Sequence, residues 1–148
     1  MTRAQRCVWV VEDNDRDYEL IESALALLEQ PPEVVRCADG DECMERIRTH
    51  PGPGDARPQL VLLDLNMPGY DGRDLLAEIR ASRYWRGVPV AILSTSSNPR
   101  DVAFCYGNGA SSYHFKAMKI AEFRNMVKTV AAFWLHTAVA LGPTDFSP

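Results

Sequence analysis

The sequence lacks several features that would assign it to a membrane, secreted or nucleic-acid-binding class. It has no run of 18 uncharged apolar residues that could cross a bilayer as a helix. Its start, "MTRAQRC", leads directly into a strand-like segment, so we expect no signal peptide. The net charge of −4 argues against a dedicated nucleic-acid surface. No internal repeat or low-complexity tract is present, and 148 residues fit one domain.

The sequence also lacks the cysteine spacing of a thiolate metal site. Cys7, Cys37, Cys43 and Cys105 are scattered without metal-ligand spacing. We therefore expect four buried, reduced thiols, which is typical of a cytoplasmic protein.

What the sequence does contain is an alternation of short apolar runs with segments of helical spacing. The runs predict five strands, at 7–11, 33–37, 59–63, 88–93 and 111–115. Asn98 and Pro99 have the residue types preferred at the N-cap and first position of the fourth helix. Five strands alternating with five helices predict an α/β fold, a doubly wound parallel sheet covered by helices on both faces.

The fifth helix is predicted to be extended, from about Ile120 past Leu141. Residues 119–141, if all helical, would form a rod roughly 34 Å long, whereas strands span only about 17–20 Å. The end of the rod would then overhang the sheet and expose Phe133, Trp134, Leu135 and Leu141. Exposed apolar residues of this extent predict an interface, and we expect a homodimer through the fifth strand and fifth helix. The alternative is that the helix curls back over its own domain.

Charged and hydroxyl side chains follow the predicted strands. Glu12 and Asp13 follow the first strand, Asp64 the third, the hydroxyl residues 94–97 the fourth, and Lys116 the fifth. Taken singly, each is also explained by capping, a turn or a snorkelling lysine. In a parallel sheet, however, these ends meet at one edge, where three carboxylates require either protonation or a cation such as Mg²⁺. Such an arrangement favours phosphoryl transfer.

Four motifs give the chain a family resemblance. "VVEDND", "LLDLNMPGYDG", "VPVAILSTS" and "YHFKA" resemble the receiver domain of bacterial two-component response regulators over residues 6 to about 135. Asp64 precedes Ser94 by 30 residues and Lys116 by 52, as the family pattern requires. The resemblance implies a flavodoxin-like strand order 2-1-3-4-5. We expect a receiver domain over 1–141, with a short tail at 142–148 and no effector domain.

The resemblance also implies the roles of the acidic residues. Asp64 corresponds to the phosphoacceptor, whose carboxylate attacks the phosphorus of a kinase phosphohistidine. Mg²⁺ would be bound by Asp13 directly, by Glu12 through water, by Asp64, and by the backbone carbonyl of Asn66. Asn66 and Ser96 occupy positions that tune dephosphorylation in the family.

The remaining site residues are matched in the same way. Ser94 corresponds to the switch hydroxyl that moves to a phosphoryl oxygen, unless the fourth strand slips by one residue and Thr95 takes its place. Tyr113 corresponds to the switch aromatic residue that turns inward. Lys116 corresponds to the lysine that pairs with Asp64 and then with its phosphoryl group.

One position departs from the family pattern, because Ala117 stands where relatives have proline after a cis bond. A cis bond before alanine would cost about 2.5–4 kcal/mol, so we predict a trans Lys116–Ala117 bond. The departure keeps open a pseudo-receiver that switches without phosphate. A third reading, an aspartate-nucleophile phosphatase, would require an Asp-x-Asp motif, and residue 66 is Asn.

The C-terminal "AAFWLHTA" and the "LSTS" motif resemble small regulators paired with phytochrome-type histidine kinases. The resemblance therefore implies a cytoplasmic, single-domain response regulator whose partner is a sensor histidine kinase. Such a protein is not an enzyme beyond catalysing its own phosphotransfer and dephosphorylation.

Overall fold

The computed structural model describes residues 6–49 and 57–139. They form a parallel sheet of five strands in the order β2-β1-β3-β4-β5, flanked by five α-helices. The strands are β1 (Cys7–Val11), β2 (Glu33–Cys37), β3 (Leu60–Asp64), β4 (Val90–Ser94) and β5 (Ser112–Phe115). The helices are α1 (Asp15–Ala26), α2 (Gly40–Arg48), α3 (Gly72–Ala81), α4 (Pro99–Gly107) and α5 (Ile120–Ala132). The predicted α/β class and strand order are confirmed.

Strand register determines which residues reach the functional edge of the sheet. Asp64 is the last residue of β3 and pairs with Leu93 of β4, and Ser94 closes β4 opposite Phe115. Ser94 is fully buried whereas Thr95 is exposed. The strand has therefore not slipped, and Ser94 is the residue at the strand end.

The sheet separates two apolar layers. On one face, Trp9 and Trp85 meet edge to face with their ring centroids 4.5 Å apart, among side chains from α2, α3 and α4. On the other face, the buried residues of α1 and α5 pack on β1, β3 and β4. Covering both faces explains why the three central strands are buried along their whole length. All four cysteines are buried and free, as expected.

Individual residues at the helix N-termini determine where α4 and α3 begin. Asn98 caps α4 by accepting a hydrogen bond from the Arg100 N–H, and Pro99 is the first helical residue, both as predicted. The N-terminus of α3 lies directly against β3, because a Cβ on Gly72 would come within 2.4 Å of the Asp64 carbonyl oxygen. Only glycine allows this close approach, which fixes the loop that follows Asp64.

The C-terminal helix differs from the prediction. The α-helix ends at Ala132 and continues as a π-helical segment, Phe133–Thr137, that the Ala138 N–H closes by donating to the Phe133 carbonyl at 2.7 Å. Ala138 has an extended backbone (ψ 147°), so the helix ends before Leu141, which lies outside the described residues. The predicted continuous rod past Leu141 is wrong.

The end of the helix also differs from the prediction in which side chains face the core. Leu135 is only 2% exposed and belongs to the apolar layer beneath α1 and α5, so its assignment to an exposed interface is wrong. Trp134 packs partly buried against the same layer, while Phe133 is 50% exposed. Leu135 follows the buried Val127 and Ala131 at intervals of four residues, so it lies on the same core-facing side of the helix. None of the helices described is both long and apolar enough to span a membrane.

Candidate functional site

Three carboxylates converge at the carboxyl edge of the sheet. Glu12 and Asp13 follow β1, Asp64 closes β3, and one oxygen from each lies within 4.8 Å of the other two. Glu12 is 1% and Asp64 7% exposed, whereas Asp13 is open to solvent. The sequence predicted this meeting, because the ends of parallel strands share one edge.

Lys116 lies beside this cluster with its side chain 8% exposed. Its Nζ donates to Glu12 Oε1 at 2.6 Å and to Asp17 Oδ2 at 3.0 Å. Asp64 Oδ2 is farther away, at 3.6 Å, which is an ion pair without a hydrogen bond. The predicted pairing of Lys116 with Asp64 is thus present as the longest of three contacts.

Burial dominates the electrostatics of the two inner carboxyl groups. It raises the pKa of Glu12 to about 7, against the opposing hydrogen bond from Lys116. It also raises the pKa of Asp64, where the Lys116 charge acts in the opposite direction. Burial alone would lower the pKa of Lys116, but the hydrogen bond to Glu12 and the attraction of Asp64 outweigh it, so that pKa is raised. Buried negative charge that is costly to hold is what a bound cation would relieve.

Arg36 fixes the backbone of the acidic loop, a role that the sequence did not reveal. From β2 its Nε and Nη2 each donate to the Glu12 carbonyl at 3.2 Å, and Nη2 donates to Asp15 Oδ1 at 2.7 Å. Its guanidinium carbon lies 4.4 Å from the centre of the Tyr18 ring. These contacts hold the Glu12 and Asp13 backbone in place from the neighbouring strand.

The predicted switch residues meet in the loop after β4. Ser94 Oγ accepts a hydrogen bond from the Ser96 N–H at 3.1 Å, and Tyr113 Oη donates to the Ser96 carbonyl at 2.8 Å. Ser96 Oγ in turn donates to Asp101 Oδ2 at 2.5 Å, and Arg73 Nη2 donates to the other Asp101 oxygen at 2.5 Å. Ser94, Ser96 and Tyr113 are therefore brought together, and the loop is tied to α3 and α4.

Asp101 and Arg73 were not predicted from the sequence. They stand 28 residues apart on different helices, so only the tertiary fold brings them together. A weak signal existed in the Asp at the first turn of α4, but it is equally explained by helix capping and dipole effects.

The loops around the cluster complete the predicted site. Asn66 is exposed, and its N–H donates to Asp64 Oδ1 at 3.3 Å. No cis peptide bond occurs in the described ranges, so the Lys116–Ala117 bond is trans, as predicted. A groove of about 310 Å³ opens beside Lys116, between the start of α1 and the β5–α5 loop.

The donor set fits a hard divalent cation. Glu12, Asp13 and Asp64 supply only oxygen ligands, and their oxygens are close enough to share one ion. Two are buried, which would strengthen the attraction for a cation, and one is open to solvent, which would let such an ion retain water.

Comparisons with known proteins agree with this geometry. Response regulator Rcp1 of Synechocystis is 32% identical over 133 residues, covering 89% of this chain and 90% of Rcp1. The probable methanogenesis regulatory protein FilR2 of Methanothrix harundinacea is 32% identical over 136 residues, covering 92% of this chain and 88% of FilR2.

Among solved structures, phosphorylated RcpA, a cyanobacterial phytochrome response regulator, is 39% identical with a TM-score of 0.87, covering 94% of this chain and 100% of RcpA. The Mn²⁺-bound form of Rcp1 gives a TM-score of 0.83, covering 93% of this chain and 99% of that structure. The family model of the response regulator receiver domain matches residues 8–128. The chain therefore belongs to the response regulator receiver domain family.

Proposed function

We propose that this protein accepts a phosphoryl group on Asp64 from a histidine kinase and so relays a two-component signal. The observation that carries the proposal is the position of Asp64, buried at the end of β3 within 4.8 Å of two more carboxylates and 3.6 Å from Lys116. The membership of the chain in the receiver domain family supports the same conclusion.

The chemistry is a displacement at phosphorus. An Asp64 carboxylate oxygen attacks the phosphorus of a phosphohistidine, the P–N bond breaks, and the imidazole leaves with the electron pair. Glu12, Asp13, Asp64 and the Asn66 carbonyl would hold Mg²⁺, which neutralises charge on the transferring group. The protein catalyses this transfer to itself and the later hydrolysis of its acyl phosphate, with Asn66 and Ser96 tuning the second step.

The phosphoryl group would act as a switch. Lys116 pairs with one of its oxygens and the Ser94 hydroxyl donates to another, so the Ser96 backbone and Tyr113 follow through their hydrogen bonds. Shifting an equilibrium from 1:99 to 99:1 requires about 5.5 kcal/mol of preference for the active state. Charge-assisted hydrogen bonds from Lys116 and Ser94 to the phosphoryl oxygens would supply part of this preference.

The sensor partner that we infer is a phytochrome-type histidine kinase, with which the protein would work in the cytoplasm. RcpA, described as a phytochrome response regulator, shares 39% of its sequence with this chain. The test is to incubate the protein with an autophosphorylated bacteriophytochrome and with an unrelated histidine kinase. Faster phosphotransfer from the bacteriophytochrome supports the pairing, and equal or slower transfer contradicts it.

We infer further that the protein forms a homodimer through β5 and α5. β5 is an edge strand, and exposed apolar residues occur in α4, in β5, in the loop after it and at both ends of α5: Phe104, Tyr106, Phe115, Met118, Ile120 and Phe133. Phe133 remains in the interface and Leu135 does not. Sedimentation with and without beryllofluoride tests the dimer; a monomer in both conditions contradicts it.

The proposed phosphorylation is tested by intact mass after incubation with acetyl phosphate. The wild type should gain a phosphoryl group only when Mg²⁺ is present, and Asp64→Asn should gain none. A wild type without an adduct would instead favour a pseudo-receiver. Release of phosphate over many turnovers at ordinary enzyme rates would favour a phosphatase.

A further inference from the structure

Lys116 is shared among three carboxylates, and the contacts are unequal. Its ammonium hydrogen-bonds Glu12 at 2.6 Å and Asp17 at 3.0 Å, but lies 3.6 Å from Asp64. An ammonium has three donors, and the two hydrogen bonds it makes here go to Glu12 and Asp17 rather than to the proposed phosphoacceptor. One donor is left for Asp64, and the attraction of Glu12 and Asp17 opposes any movement of the ammonium toward a phosphoryl group there.

The contacts of Lys116 with Asp17 and with Glu12 differ in whether a bound cation would weaken them. Glu12 belongs to the three-carboxylate cluster, so a cation bound there would compete with Lys116 for it. Asp17 is outside that cluster and lies in the first turn of α1. Its contact with Lys116 would therefore persist when the cluster holds a metal.

The position of Asp17 is fixed by the helix start. The Asp17 N–H donates to the Asn14 side-chain oxygen at 2.9 Å, which is the N-cap of α1. Its carboxylate is 31% exposed and faces the groove beside Lys116. A short side chain on a capped helix has little freedom to follow the lysine, so movement of Lys116 toward Asp64 would weaken this contact.

We propose that Asp17 is a positioning residue that competes with the phosphoryl group on Asp64 for the ammonium of Lys116. The competition stabilises the unphosphorylated state and slows phosphorylation. This inference rests on the proposed function of Asp64, and it assigns to the first turn of α1 a role in setting the phosphorylation rate.

The test measures the second-order rate of phosphorylation by acetyl phosphate at saturating Mg²⁺. Asp17→Asn should accelerate the reaction roughly three- to tenfold, the range left for a charged hydrogen bond after partial solvent screening. Asp17→Glu, which keeps the carboxylate, should remain nearer to the wild-type rate. Glu19→Gln is the matched control, because it removes an exposed carboxylate from the same helix and should change the rate less than twofold.

A double-mutant cycle separates a specific effect from a general charge effect. In a Lys116→Ala background, followed at higher donor concentration because the reaction is slower, Asp17→Asn should give no more than the effect of Glu19→Gln. A crystal structure of Asp17→Asn should show Lys116 Nζ within hydrogen-bond distance of Asp64, about 3.2 Å or less.

The outcomes separate this inference from the proposed function. If the wild type gains no phosphoryl group on Asp64, the proposed function fails and this inference fails with it. If the wild type is phosphorylated but Asp17→Asn is no faster than Glu19→Gln, only the role of Asp17 is overturned. An equal acceleration with and without the Lys116 side chain would also overturn it.

Discussion

Leu135 provides a quantitative test of how the chain folds after α5. Its side chain is 2% exposed beneath α1 and α5, whereas Phe133, two residues earlier, is 50% exposed. Replacing a buried leucine by alanine costs about 2–5 kcal/mol, depending on how far the cavity collapses. Because Leu135 lies in a terminal π-helical turn that can relax, we expect a loss near the lower end, about 2–3 kcal/mol, for Leu135→Ala.

The assay is urea unfolding followed by far-UV circular dichroism. A loss of this size lowers the midpoint by about 0.7 to 3 M urea, since m is about 1–3 kcal/mol per M. Measurements at several protein concentrations separate folding from association. Phe133→Ala is the control and should cost less than about 1 kcal/mol, because half of its side chain is in water already.

The same two variants distinguish a side chain that stabilises the core from one that contributes to the proposed dimer interface. Phe133→Ala should weaken the proposed dimer in sedimentation experiments, and Leu135→Ala should leave association unchanged as long as the domain is folded. Equal stability losses for the two variants would refute the buried position of Leu135. So would a Leu135→Ala variant that is as stable as the wild type but monomeric.

Three further predictions concern protonation, the β4–α4 loop and metal binding. Burial lowers the pKa of His114 below its usual value of 6.5. The unfolded chain therefore binds the proton more tightly than the folded protein, so the free energy of unfolding should fall as the pH drops through 6.5. His114→Gln should lose less stability than the wild type between pH 7.5 and 5. Asp101→Asn leaves one acceptor oxygen for Ser96 and Arg73 and removes the charge that strengthens both bonds, so it should speed amide hydrogen exchange in residues 95–98 but not in β1. Mg²⁺ at ten times its Kd should stabilise the wild type by about 1.4 kcal/mol, measured as a rise in melting temperature that Asp13→Asn largely abolishes.

Much of the fold could be predicted because the apolar runs are short and clearly bounded. β1 and β2 have the predicted limits, and β3, β4 and β5 differ by one or two residues at their ends. Asn98 and Pro99 marked the start of α4 because both act locally, one through its side chain and the other through its fixed φ. Strand order and the meeting of the three carboxylates then follow from the rules of parallel sheets and the family resemblance.

What could not be predicted depends on contacts between distant residues. Lys116 and Asp17 are 99 positions apart, and nothing in the first turn of α1 distinguishes an aspartate that binds a lysine from one that only complements the helix dipole. The helical spacing of the apolar residues in 120–141 suggested one continuous helix. The chain instead forms a π-helical turn over Phe133–Thr137 and leaves the helix at Ala138. Leu135 is buried because it packs in the layer of α1 and α5, a contact that the spacing within one helix does not reveal.

The central claim, that Asp64 is the phosphoacceptor, is tested most directly by trapping the acyl phosphate chemically. The protein is incubated with acetyl phosphate and Mg²⁺, reduced with borohydride, which converts a phosphorylated aspartate to homoserine, and digested for peptide sequencing by mass spectrometry. We predict homoserine at position 64 alone, and none without Mg²⁺ or in Asp64→Asn. Conversion of Asp13 or another carboxylate instead, or of no residue at all, would contradict the account.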